Sequence, residues 1–195
     1  MFDIASGIDP RKGTTRIGVI EFWTKGYGPF ERMSNESVTL GDYNDKADLI
    51  KKINALRHRI GTVTYIESGL EKLLEANQFG VNVTSERQRI AILVSDGQEE
   101  TSLLGAAASK QWMIRNATEI RNRSIQIFAV GVGKVNKENL KEITSNESHV
   151  FITNQLSKNE VLRFYNSLVT QVCPEAPTRP VPSKFDWCMV ECEGG

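Results

Sequence analysis

The sequence predicts an α/β domain, doubly wound, with a mostly parallel central sheet and helices on both faces. Three observations predict it. The runs over 90–94 and 125–130 are apolar at nearly every position, as strands covered on both faces must be. Around them, apolar residues recur at the 3.6-residue spacing of helices. The two patterns alternate along the chain, and alternation with right-handed crossovers builds a parallel sheet.

The first element is RIGVIEFW (Arg16 to Trp23), β-branched and apolar; the turn Gly26-Tyr27-Gly28-Pro29 and a second extended stretch, Phe30 to Leu40, complete a hairpin. Leu49, Ile50, Ile53 and Leu56 follow at helical spacing behind the cap candidates Asp42 and Asn44, and Ile66, Leu70, Leu73 and Leu74 repeat the pattern. Two amphipathic helices are expected there. The strands at Ile90 to Val94 and Ile125 to Val130 are expected to be central, with the helical stripe Met113, Ala117 and Ile120 between them. A short helix near Lys137 to Ile143, a strand at Val150 to Thr153 and a helix from Asn159 to about Val172 end the alternation. From Pro174 four prolines crowd the chain up to Pro182, which reads as an extended linker entering a Cys-containing segment.

The 195 residues suit one domain with a short extra segment. With 24 basic and 24 acidic side chains the chain has no electrostatic footprint for nucleic acid. No run reaches the roughly 18 apolar residues of a membrane span. Five glycosylation triplets, at Asn35, Asn82, Asn116, Asn122 and Asn146, exceed the about two expected by chance and point to an extracellular chain. Asn35 and Asn82 lie in polar, loop-like stretches, whereas Asn116 falls toward the packed side of its helix. Cys173, Cys188 and Cys192 are an odd number, so at least one has no partner within the sequence. A partner elsewhere and free thiols are both open; zinc is disfavoured because no histidine is nearby.

Ligands of doubly wound sheets bind beyond the carboxyl ends of the strands. Ser95-Asp96-Gly97-Gln98-Glu99-Glu100 stands at such an end. Asp96 either opens a turn with Gly97 or serves a ligand. Gly61-Thr62-Val63-Thr64, just ahead of the second helix, offers a hydroxyl that could meet it. Thr64 reads as that helix's cap. The cluster Asp42, Asp45 and Asp48 reads as a solvated helix start. Gly131-Val132-Gly133-Lys134 lacks the remaining residues of a phosphate-binding or dinucleotide fingerprint. His58 and His149, the only imidazoles, have no motif nucleophile beside them, so no catalytic triad is apparent.

Together GTVTYIESGLEKLL, IAILVSDG and IFAVGVG, in that order and spacing, resemble the von Willebrand factor type A family, which includes integrin inserted domains and matrilins. RIGVIEF, SVTLGDYNDKADLIKKINAL and HVFITNQLSKNEVLRFYNSL extend the likeness from about Arg16 to Cys173. The resemblance implies a Rossmann-like fold and a metal-ion-dependent adhesion site at the top of the sheet. There Mg²⁺, or Mn²⁺, would take oxygen ligands from Thr62 and Asp96, and an acidic side chain of a matrix or cell-surface protein would complete the shell. Gln98 and Glu99 would lie at the rim. The family's first loop carries Asp-x-Ser-x-Ser, and no such motif occurs here; Asp3-Ile4-Ala5-Ser6 has the wrong spacing. The expectation is therefore a domain over 1–173 without its first strand and most of its first helix, followed by linker over 174–195. Such a chain would hold metal weakly or not at all. The resemblance also implies a disulfide from Cys173 to a cysteine upstream of the chain. The function so implied is non-enzymatic and extracellular, secreted or on an ectodomain; a metal-independent interaction module is the alternative, and an α/β enzyme a more distant one.

Overall fold

A computed structural model describes residues 16–24, 32–56, 66–75, 88–95 and 106–172. Strands β1 (Val19–Thr24) and β2 (Arg32–Val38) pair antiparallel, as the hairpin reading requires, with a register shift between Val19 and Ile20. Helix α1 (Lys46–Ala55) lays Leu49 and Ile53 on Val19 and Val38. Its cap is Asp45, whose side chain accepts from Asp48 N at 2.9 Å, one residue beyond the expected candidates. Asp48 in turn accepts from Asn44 N, and Asp42 lies 3.5 Å from Lys52. Asp45 and Asp48 thus serve the local helix start, while Asp42 pairs with Lys52 in the last turn of α1.

Helix α2 (Ile66–Glu75) precedes β3 (Arg89–Ser95), and α3 (Ala106–Asn122) connects β3 to β4 (Ile125–Val132). Helix α4 (Lys137–Thr144), a 3₁₀ turn at Glu147–His149, β5 (Val150–Thr153) and α5 (Lys158–Val172) follow. The strands β3, β4 and β5 form a parallel sheet in that order, with Ser95 opposite Gly131 and Val132 opposite Thr153.

Both faces of this sheet carry helices, because the strand side chains alternate between two apolar layers. Leu93, Ile127 and Ala129 pack with Ile66 and Leu70 of α2, Met113, Ala117 and Ile120 of α3, and Leu140 and Ile143 of α4. Phe128 and Val130 point the other way and meet Phe164 of α5, with Phe151 and Leu168 beside them. Phe22 of β1 also packs into the first layer, so the two-stranded and three-stranded sheets share one core.

Among the described residues β4 is the central strand of its sheet and β3 is paired on one side only. The expectation that β3 is covered on both faces is corrected accordingly. Leu93 and Ser95 are buried, but Ile92 and Val94 on the opposite face remain 37% and 39% exposed. On that face Ile90 of β3 packs with the α5 layer.

The glycine just after β4, Gly133, has a backbone explanation rather than a phosphate-binding one. Gly133 turns the chain at φ +82°, and its N–H donates to Thr153 O at 2.8 Å. At the start of α4, Asn136 accepts from the N–H groups of Glu138 and Asn139, which satisfies donors that an anion would otherwise use. His149 is likewise structural: its ring stacks on Phe128 at 4.1 Å and its Nδ1 lies 3.1 Å from Ile127 O.

Candidate functional site

Parallel pairing brings the carboxyl ends of β3, β4 and β5 to one side of the molecule, and the segment that begins with Asp96 leaves β3 there. Thr62, Asp96, Gln98 and Glu99 lie outside the described residues, as do Thr64, Asn82, Cys173 and everything from Pro174 onward. What is described is the scaffold from which the Thr62 and Asp96 segments spring.

Two contacts orient that scaffold. At the strand starts, Arg89 of β3 donates to Arg123 O just past α3, and Arg123 donates to Leu74 O in the last turn of α2, at 3.1 and 3.2 Å. At the other end Ser109 Oγ, in the first turn of α3, donates to Glu67 Oε1, in the first turn of α2, at 2.8 Å. The two helices therefore lie side by side with their starts at the carboxyl end of β3. Thr62 is four residues ahead of α2, and Asp96 directly follows β3.

Glu67 is completely buried, and Ser109 and Asn116 are nearly so. Asn116 Nδ2 donates to the Glu67 carbonyl at 3.3 Å, so α3 holds this residue through both its side chain and its backbone. Ser109 and Asn116 are seven residues apart, two helical turns, and share the stripe of Met113, Ala117 and Ile120. Sequence reasoning missed Glu67 and Ser109. Their signal was a polar residue within an apolar stripe, Glu67 three positions before Leu70 and Ser109 four before Met113.

Ionisation departs from the ordinary elsewhere. Burial lowers the pKa of Arg121, in the last turn of α3, where its guanidinium donates to Ile143 O and to Glu142 O at the end of α4. Lys141, hydrogen-bonded to Glu147 and Glu138, is held above the usual lysine value, and Lys137 and Lys141 hold Glu147 below the usual carboxylate value. Among the described residues no group of three or more His, Cys, Asp or Glu could hold a metal ion. The expected donors are a hydroxyl and a carboxylate, both oxygen, as a hard divalent cation requires.

The remaining glycosylation candidates differ in setting. Asn35 lies within β2, opposite Glu21, rather than in a loop. Asn122 is exposed at the end of α3; Asn146 is exposed and accepts from Ser148 N at 3.0 Å. Asn116 has its amide in the core, as described.

The family described as von Willebrand factor type A domain matches residues 2–164. Matrilin-2 of Mus musculus is 27% identical over 177 residues, which cover 87% of this chain and 17% of matrilin-2. The collagen alpha-5(VI) chain of Homo sapiens is 26% identical over 141 residues, covering 71% of this chain and 5% of the collagen. The chain thus spans less than a fifth of either relative. Among solved structures, proximal thread matrix protein 1 from the mussel byssus, with a zinc-occupied MIDAS motif, superposes at TM-score 0.65 with 22% identity, covering 86% of this chain and 40% of that one. The manganese-loaded TRAP protein of Plasmodium vivax superposes at 0.60 with 16% identity, covering 84% and 61%. At these identities the structures establish a shared fold.

Proposed function

The chain belongs to the von Willebrand factor type A family, and from that premise we propose that it is a non-enzymatic, extracellular protein-binding module of the adhesion or matrix type. The family match over residues 2–164 carries this reading, and the matrilin and collagen relatives support it. The partner is an extracellular matrix or cell-surface protein. It is engaged at the carboxyl end of the parallel sheet, where doubly wound folds bind their ligands.

In this reading Thr62 and Asp96 hold a divalent ion, Mg²⁺ or Mn²⁺, and Gln98 and Glu99 line the rim. Two structural neighbours bear zinc and manganese in their own descriptions, which supports a divalent ion of this class. The ion would supply a positive centre for a carboxylate of the partner. The chain would contribute a hydroxyl from the turn before α2 and a carboxylate from the segment after β3.

Calorimetry with MnCl₂ and MgCl₂ on the full chain tests this. With two of the expected ligand sources in the chain, at most weak binding is expected in the unsubstituted protein, and Asp96→Ala and Thr62→Ala should each weaken it further. Weakening by Thr64→Ala instead would move the hydroxyl ligand two residues along the same turn. Heat in none of the proteins would favour the second reading, a metal-independent interaction module.

A further inference from the structure

We propose that β1 and β3 bound a slot one strand wide, which accepts a single extended peptide segment, apolar on both faces, from a second polypeptide. The slot is independent of any metal ion and stands on described strands alone.

The order of the helices fixes where the hairpin lies. Helix α4 packs over β4 and β5; α3 packs over β4 and beside α4; α2 packs beside α3 and over β1 and β2. The helices thus succeed one another as α4, α3, α2 in the direction in which the strands succeed one another as β5, β4, β3, and the hairpin lies past β3. A strand directly beside β3 would stand about 4.8 Å away and share a ladder with it. Among the described residues β1 pairs only with β2, and β3 only with β4. β1 therefore lies one strand position further out, about two spacings from β3, which matches the about 8–10 Å between packed helices such as α3 and α2. It is held there by α2, where Gly69 lies directly on Phe22.

Both edges of this slot are made for backbone pairing, because a strand laddered on one side only turns alternate N–H and C=O groups outward. Along β3, Ile90 to Val94 are apolar at every position and in unbroken register with β4. The strand carries no proline, lysine or bulge of the kind that protects an edge. The faces of the slot set the side chains of its occupant. On the α2–α3 face Phe22 and Leu93 belong to one apolar cluster. On the other face Ile92 and Val94 are 37% and 39% exposed, and a neighbouring strand would cover their flanks. A segment with apolar side chains toward both faces needs a run of about five apolar residues, as β3 itself has. None of the segments outside the described residues contains such a run, which places the occupant on another polypeptide. The hairpin closes the far side, so one strand enters and a second folded sheet does not.

Amide hydrogen exchange, read residue by residue by NMR on the full chain, tests the slot. The probe is a blocked peptide, Lys-Lys-Val-Ile-Ala-Val-Ile-Lys-Lys. In the chain alone, the outward amides of 19–24 and 90–94 should exchange faster than the inward amides of the same strands, which are in ladders. With peptide at about ten times its Kd, measured by anisotropy of a labelled copy, the outward amides of both strands should slow about ten-fold, because only the free fraction then exchanges. Val94→Lys, which sets an ammonium on the exposed flank, should weaken peptide binding about ten-fold or more. Should that variant not fold, Val94→Thr, close in shape, replaces it with a smaller loss in the same direction. A peptide with proline in place of its alanine cannot complete the ladder and should bind about ten-fold more weakly or less. The proposal is overturned if the outward amides are already as slow as the inward ones without peptide, or if peptide slows neither strand or only one. Equal binding of the proline peptide would overturn it too.

Discussion

Asn116 Nδ2 is the atom to which a glycan would be joined, and in the fold it donates to Glu67 O within the α2–α3 seam. A glycan there would remove that bond and require space in a close-packed core. Glycopeptide mapping of the protein expressed through a secretory pathway is therefore expected to find sugar among Asn35, Asn82, Asn122 and Asn146, with Asn116 unmodified; a glycan at Asn116 in folded protein would contradict the seam. The same residue shows the limit of reading triplets alone. Its position next to Ala117 in an apolar stripe already indicated the packed side of a helix, but the bonding partner is 49 residues away and no local pattern reveals it. Glu67 was hidden for the same reason. A buried carboxyl looks like any surface glutamate until its partners on another helix are known. Thr62 and Asp96 could be proposed because each sits in a short motif whose order along the chain is distinctive.

At the scale of elements, periodicity revealed nearly everything. Each expected helix and strand with described residues is present, and α4, β5 and α5 start and end within about two residues of expectation, the ordinary uncertainty of element ends. Cap identity was less legible, since Asp42, Asn44 and Asp45 are all competent and only the backbone shows that Asp45 meets Asp48 N. Gly69 is a second case in which tertiary contact gives a residue its meaning. A Cβ there would stand 2.7 Å from Phe22 Cδ1, because α2 lies directly on β1. Gly69→Ala should destabilise the protein by about 1–3 kcal/mol, despite alanine's better helix propensity. Chemical denaturation checks this, and pairing with Phe22→Leu should recover part of the loss; a stabilised single variant would show that Phe22 moves aside without cost.

For the whole molecule, Phe22 joins the layer of Leu93, Ile127 and Met113, and the two sheets are therefore expected to unfold as one unit. Met113 is fully buried at the centre of that layer, so Met113→Ala should cost about 2–5 kcal/mol in a single transition. Coincident curves from far-ultraviolet dichroism and intrinsic fluorescence would agree; separate transitions would mean that β1, β2 and α1 form an independent unit. The alternation of apolar strand runs with amphipathic helices was enough to determine the α/β class, the parallel sheet and helices on both its faces. Those features depend on local periodicity, and each strand must bury what its own pattern makes apolar. Which strand is central, which faces stay open and which polar residues are buried were decided only by tertiary structure. β3 looked as buried as β4, yet Ile92 and Val94 stand partly exposed, because coverage depends on the reach of a neighbouring helix. The Glu67–Ser109 bond joins residues 42 positions apart, and such a contact exists only once the helices have packed.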